Sequence, residues 1–141
     1  MKHVKIILTA GAVAVLSLSL EANDTATFRD NHGRVVGSET KSGNSVVYRD
    51  AQGRTTATTV TSGNITSCRD PQGRIIGTKT VQGNQAVYRD PQGRIIRTET
   101  VNGDTSTWRD AQGRTIGTTT RDPSGATTLR DSQGRTVGTK R

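Results

Sequence analysis

The sequence has little of what usually holds a compact domain together. Its 141 residues include one cysteine, one tryptophan, one phenylalanine and two tyrosines. The single cysteine, Cys68, excludes an internal disulfide, so no disulfide framework stabilises the fold. From residue 23 onward only 17 residues are Leu, Ile, Val or Phe, too few for a conventional two-layer core. We therefore expect order from a regular backbone ladder, from side-chain ladders or from self-assembly, with disorder before assembly as the alternative.

Residues with catalytic or metal-binding chemistry are scarce as well. After residue 22 the sequence contains one histidine, His32, which lies in a predicted turn. No Cys–His pair or Ser–His–Asp set has a spacing that indicates nucleophilic catalysis, and no cluster has metal-ligand spacing. We expect a protein that is not an enzyme, with no catalytic residues, no metal, no cofactor and no small-molecule substrate.

Residues 1–22 have the pattern of a secretory signal peptide. Two lysines precede an apolar or small-residue stretch at positions 6–20, and Ala22 offers a small residue for cleavage. The stretch is short for a membrane span, and an uncleaved N-terminal anchor is the alternative. We expect an exported protein, in the periplasm, on the outer surface or secreted, with no transmembrane span in the mature chain.

What the sequence has in abundance is repetition. From residue 25 it contains five repeats of 20 or 21 residues and a truncated sixth that begins at residue 126. Periods of this size are typical of repeat proteins, in which one supersecondary unit stacks on its neighbours. We assign residues 23–141 to one repeat domain. Each repeat has the kernel Arg-Asp-x-x-Gly-Arg, which begins at Arg29, Arg49, Arg69, Arg89, Arg109 and Arg130.

Each repeat predicts two strands and two turns. In the third repeat, Asp-Pro-Gln-Gly at 70–73 has the residues that favour a three-residue hairpin turn with a glycine bulge. The Ser-Gly-Asn segment at 62–64 predicts a tight turn with positive φ. The flanks are rich in Thr, Val and Ile, which favour strands. We predict an all-β fold of tandem 20-residue β-hairpin repeats forming an elongated antiparallel meander, with a two-strand-per-coil β-solenoid as the alternative.

The kernel turn also predicts a cross-strand register. With a glycine bulge in the turn, Cys68 faces Ile76 across the hairpin, and β-branched residues oppose the equivalent positions. Because side chains alternate, Thr78 and Thr80 share this face while Lys79 points the other way. Small residues are expected on the second face, at Gly37, Gly77, Gly117 and Gly138. The first face carries a packing column that consists of Phe28, Tyr48, Cys68, Tyr88, Trp108 and Leu129.

The kernel resembles the YD repeats of Rhs proteins and teneurins. Those repeats read Tyr-x-Tyr-Asp-x-x-Gly-Arg-Leu; here Tyr-Arg-Asp-x-x-Gly-Arg is followed by Ile-Ile, with Gly-Asn further on. An arginine stands in place of the second tyrosine. The resemblance covers nearly all of residues 25–141 and implies hairpins that wind into a hollow shell. A weaker resemblance to curli-type amyloid subunits, in repeat length and Gly-Asn turns, implies strands stacked in a fibre.

The chain is strongly basic. Its formal net charge is +8, and residues 23–141 contain 18 basic and 11 acidic residues, a balance that favours polyanions such as lipopolysaccharide, polysaccharide or nucleic acid. The arginine after each kernel turn is expected to form a row along one edge that suits repeating anions. In the alternative interpretation each pairs with the aspartate of its own turn. These residues are Arg34, Arg54, Arg74, Arg94, Arg114 and Arg135.

Three functions remain open from the sequence. The first is an exported, non-enzymatic structural or adhesive protein at the cell surface or envelope. Such a protein would associate with itself through exposed edge strands or with a surface partner. The second is a polyanion-binding module that uses the arginine row. The third is a curli-like fibre subunit, in which identical strands stack in register.

Overall fold

The computed structural model describes residues 24–141, and the predicted signal peptide at residues 1–22 lies outside them. Over these residues each strand is antiparallel to its neighbours, so the prediction of an all-β antiparallel meander is confirmed. The same residues contain no helix with the length and apolarity needed to cross a membrane. The strands are β1 (Thr25–Asp30), β2 (Val35–Ser42), β3 (Ser45–Asp50), β4 (Thr55–Ser62), β5 (Ile65–Arg69), β6 (Ile75–Gln82), β7 (Gln85–Arg89), β8 (Ile95–Asn102), β9 (Thr105–Asp110), β10 (Thr115–Arg121), β11 (Thr127–Asp131) and β12 (Thr136–Lys140).

The sheet closes on itself to form a barrel. β1 pairs with β2 on one side and with β12 on the other, where Phe28 lies opposite Lys140 and Asp30 lies opposite Gly138. The expectation that this meander is elongated is therefore wrong, and so is the solenoid alternative, in which successive coils stack in parallel. Closure is favoured because it gives partners to the backbone groups of β1 and β12 that an open sheet would expose.

The two kinds of turn lie at opposite rims of the barrel. A kernel turn follows each odd-numbered strand, so the antiparallel order places all of these turns at one rim. The kernel turn has the predicted form: the N–H of Asp70 donates to the carbonyl of Arg74 at 2.9 Å, and Gly73 has a φ of 81°. At the other rim Gly63 has a φ of 59°, as predicted for a tight turn.

The predicted register is wrong by one residue. Arg69 pairs with Ile75, but Cys68 pairs with Gly77, which leaves Ile76 unpaired as a second bulge beyond the turn. The same shift recurs in each of the other hairpins that a kernel turn closes. A bulge adds one residue to one strand only, so every later position of the second strand moves by one.

This shift reverses the faces of the second strand in each hairpin. Lys79 points into the barrel and Thr78 and Thr80 point outward, the opposite of the prediction. The small residues expected on the second face lie inside, opposite the packing column. At Gly117 the approach of the neighbouring strand requires glycine, because a Cβ atom there would lie 2.5 Å from the carbonyl oxygen of Arg130.

The packing column lies in the interior of the barrel. All of its side chains are buried, and together with Ala57 and Ala86 they form the hydrophobic core. The ring centroids of Tyr88 and Trp108 are 5.6 Å apart. In most hairpins a large residue on the first strand faces glycine or alanine on the second. Because large and small side chains face each other in this way, few apolar residues are enough to fill the interior of the barrel.

Candidate anion-binding site

Arginines surround the rim that carries the kernel turns. We call the arginine after each turn a turn arginine and the arginine that begins each kernel a strand arginine; with the kernel aspartates they form the arginine rim. Twelve arginines and six aspartates give this rim a net charge of +6. The turns of the opposite rim, at 43–44, 63–64, 83–84, 103–104 and 122–126, contain neither lysine nor arginine.

Each turn arginine is held by the aspartate of its own turn. In the third hairpin, Oδ1 of Asp70 accepts from the N–H groups of Gln72 and Arg74 at 3.0 and 2.9 Å, and Oδ2 accepts from Nε of Arg74 at 2.7 Å. The salt bridge recurs in the other kernel turns at 2.7–2.9 Å. The turn arginine side chains remain 75–76% exposed, so the bridge orients the guanidinium without burying it.

The kernel aspartates are ionised at neutral pH. Desolvation by burial opposes the charge on Asp70, but the N–H groups and guanidinium around it together outweigh this and lower its pKa below the ordinary value of 3.8. The pKa values of the other five are lowered by the same causes. Each turn therefore holds its guanidinium in place before any ligand arrives, which reduces the entropy cost of binding.

The prediction from sequence missed the strand arginines. Cys68 faces the interior, so Arg69 faces outward just before the turn, and its Nη1 donates to the carbonyl of Gly73 at 2.8 Å. Three others make the equivalent bond, whereas Arg49 donates to Thr40 Oγ1 at 3.3 Å. No salt bridge within residues 24–141 joins a strand arginine to a carboxylate. Alternation along the strand could have identified them. Each strand arginine directly follows a residue of the inward packing column and must therefore face outward.

Because the barrel is closed, the arginines that we expected in a row form a ring around one rim. Neighbouring strands are about 4.8 Å apart, so the kernel turns recur roughly every 10 Å around the rim. Guanidinium groups bind phosphate, sulfate and carboxylate groups in a bidentate manner. A ring with this spacing suits a polymer or a surface with many anionic groups better than a single small anion.

Charged residues inside the barrel pair with one another. Nζ of Lys140 lies 2.5 Å from Oε1 of Glu39, and Nζ of Lys79 lies 3.8 Å from Oε2 of Glu99. The hydroxyl of Tyr88 donates to Glu99 Oε2 at 2.9 Å. The charge pairs offset part of the cost of burying the individual groups, and we therefore assign them a structural role in the barrel interior.

Arg97 occupies an interior position where most hairpins have glycine. Its guanidinium carbon lies 4.6 Å from the ring centroid of Tyr88 and 5.4 Å from that of Trp108. Contact with the face of an aromatic ring stabilises a cation. The larger side chain thus replaces the missing small residue and joins the aromatic core.

The features near Cys68 do not resemble a catalytic or ligand-binding site. A cavity lined in part by Thr59, Thr66 and Cys68 has a volume of about 20 Å³, room for roughly one water molecule. Burial raises the pKa of Cys68 to about 11, so its thiol is protonated and weakly nucleophilic at neutral pH. Within residues 24–141, no three His, Cys, Asp or Glu side chains are grouped so that they could hold a metal ion.

Comparison with known proteins does not add a family to this picture. The chain matches no protein-family model and no curated protein sequence. Inference about function therefore depends on the geometry and charge of the arginine rim.

Proposed function

We propose that this is an exported, non-enzymatic protein of the cell surface or envelope that binds anionic polymers or surfaces through its arginine rim. The observation that supports the proposal best is the gathering of twelve arginines at one rim against six aspartates. Six of the arginines are oriented by salt bridges and largely exposed. Adhesion in this proposal is electrostatic, which unites the adhesive and the polyanion-binding hypotheses.

The closed barrel makes the other modes of association less favourable. Every strand between residues 24 and 141 has a hydrogen-bonded neighbour on both sides, so no free edge invites strand-to-strand pairing with another chain. Curli-like stacking needs such edges, and we do not propose it. We retain a relationship to YD repeats as a proposal for the hairpin unit alone, without encapsulation, because the packing column occupies the barrel interior.

A salt titration of binding tests the proposed function. Duplex DNA serves as a polyanion of defined charge spacing, and its affinity is measured by fluorescence anisotropy over a range of salt concentrations. We expect affinity to fall steeply with salt, because bound arginines release counterions. Arg94→Gln should reduce the slope of log K against log salt by about 0.9. The fold should survive, because an exposed ion pair contributes little to stability.

Arg121→Gln is the matched control. It removes the same charge from the last residue of β10, whose N–H donates to the carbonyl of Asp104 and whose guanidinium lies beside Gly125, at the rim opposite the kernel turns. This variant should leave the slope unchanged. Binding that does not depend on salt, or an equal change of slope in both variants, would contradict the proposed function.

A further inference from the structure

Exposed isoleucines lie beside the arginines on one side of the arginine rim. Ile75 and Ile95, the first residues of β6 and β8, are 44% and 42% exposed. Each lies directly opposite a strand arginine across its hairpin, Ile75 opposite Arg69 and Ile95 opposite Arg89. Each also follows a turn arginine in the chain. Apolar and cationic side chains therefore share one surface.

The apolar surface extends into the neighbouring hairpin but not around the whole rim. The bulge residues Ile96 and Ile116 are also exposed, at 38% and 37%. We call Ile75, Ile95, Ile96 and Ile116 the isoleucine sector. In three other hairpins the equivalents of Ile75 and Ile95 are threonines, namely Thr55, Thr115 and Thr136; in the first hairpin the equivalent is Val35, which is 43% exposed but lies apart from the others, on β2. The arginines are distributed evenly around the rim, whereas the exposed isoleucines are concentrated on β6, β8 and β10.

This asymmetry favours one class of anionic partner. Soluble nucleic acid or an anionic polysaccharide would satisfy the arginines, but it would give the isoleucines little apolar surface to contact. An anionic lipid surface offers both, because its phosphates lie at the headgroup level and its acyl chains begin just beneath. Arginine side chains span that boundary readily, with the apolar stem below and the guanidinium at the phosphates.

We propose that the isoleucine sector docks the barrel on an anionic lipid surface. Arg69, Arg74, Arg89 and Arg94 contact the lipid phosphates, and the isoleucines enter the boundary between headgroups and acyl chains. This inference rests on the proposed function, since the same arginine rim supplies the attraction. It adds a preferred orientation, in which the hairpins that contain β6 and β8 face the lipid.

Vesicle binding of an isoleucine-to-threonine variant tests this inference. Protein purified after export is mixed with phosphatidylcholine vesicles, with or without phosphatidylglycerol, and the bound fraction is measured by sedimentation. The test variant, Ile75→Thr with Ile95→Thr, copies Thr55 at the equivalent position and keeps a β-branched side chain. We expect its partition onto phosphatidylglycerol vesicles to fall about tenfold, because less apolar surface is buried, while its affinity for duplex DNA stays unchanged.

The control variant carries the same kind of change away from the arginine rim. Val60 and Ile65 are 38% and 46% exposed and lie near the opposite rim; Thr40 and Thr25 occupy the equivalent positions in the first repeat. Val60→Thr with Ile65→Thr should alter neither vesicle binding nor DNA binding.

The outcomes separate this inference from the proposed function. If the test variant binds phosphatidylglycerol vesicles as well as the unsubstituted protein, the lipid proposal is overturned, while salt-dependent DNA binding still supports the arginine rim. Equal binding to vesicles without phosphatidylglycerol would overturn it as well, because the arginines would then contribute nothing. If the protein binds neither vesicles nor DNA, the proposed function itself fails.

Discussion

Charged side chains occupy one interior position on the second strand of most hairpins. Glu39, Glu99 and Lys140 are buried there and Lys79 is largely buried, whereas Thr59 and Thr119 occupy the equivalent positions of β4 and β10. The chain therefore contains, in its own repeats, a neutral residue that the interior accepts. The charged residues are tolerated because opposite signs meet across one intervening strand, Lys140 with Glu39 across β1 and Lys79 with Glu99 across β7. A single repeat considered alone would not indicate these pairs.

The Glu39–Lys140 pair allows a prediction for the stability of the barrel. Glu39→Thr removes the carboxylate that Lys140 contacts and leaves the ammonium group in a buried environment. We expect the free energy of unfolding to fall by about 3 kcal/mol, the usual effect of removing one partner of a buried pair. Denaturation in urea, monitored by circular dichroism, measures the change.

The double variant Glu39→Thr with Lys140→Thr is the control for that experiment. It buries no charge at either position and copies Thr59 and Thr119. Most of the lost stability should return, since a buried pair adds little beyond a well-packed neutral pair. If the double variant were as unstable as the single one, the cost would come from packing and not from the uncompensated charge.

At the scale of the element, the kernel turn combines a structural and a functional role. Asp70 caps the turn through its backbone N–H bonds and orients the guanidinium of Arg74 with its second oxygen. One carboxylate thus specifies the hairpin and positions a group that can bind anions. The repetition of this turn is what makes the arginine rim regular.

The kernel aspartates predict that the fold loses stability in acid. Their pKa values are lower in the fold than the ordinary 3.8. Their contribution is therefore complete above that pH and is lost as the pH falls through the lowered values. Glu39 acts with the opposite sign, because desolvation by burial outweighs the attraction of Lys140 and raises its pKa, but it is one residue against six.

Substitution of three kernel aspartates tests this pH dependence. Asparagine keeps an oxygen that accepts the backbone N–H groups but cannot take up a proton. In the triple variant Asp50→Asn, Asp70→Asn and Asp90→Asn, the free energy of unfolding should decline about half as steeply below pH 4 as in the unsubstituted protein. Urea denaturation at a series of pH values measures this decline; an unchanged slope would place the acid sensitivity elsewhere.

At the scale of the whole molecule, closure decides what the protein exposes. β12 completes the barrel by pairing with both β11 and β1, and it carries Lys140 to Glu39 on β2. An open sheet of the same hairpins would present two free edges and would leave the core accessible on one side. The closed sheet instead presents two rims, one of them strongly positive.

Removal of β12 tests the role of closure. A chain that ends at Arg135 would expose the edges of β1 and β11, and we expect it to associate into oligomers or aggregates. Size-exclusion chromatography with light scattering would detect this. A chain that lacks only Arg141 serves as the control and should keep the mass of the intact protein. A stable monomer without β12 would show that closure is not what prevents association between chains.

Several features could be predicted from the sequence because they depend on neighbouring residues only. The two turns follow from the local conformational preferences of Gly73, Gly63 and Asp70. These preferences do not depend on the path of the rest of the chain. The inward packing column follows from alternation along one strand. The exact cross-strand partner of Cys68 did not follow, because the bulge at Ile76 forms when the second strand packs against the interior of the barrel.

The sequence by itself determined the hairpin, its two turns, the packing column and the excess of positive charge, since each depends on local backbone preferences or on composition. Only the tertiary structure decided that the sheet closes, that the second strand slips by one residue, and that the kernel arginines form a ring. Closure and register depend on twist and packing summed over all the hairpins. No single repeat contains that information.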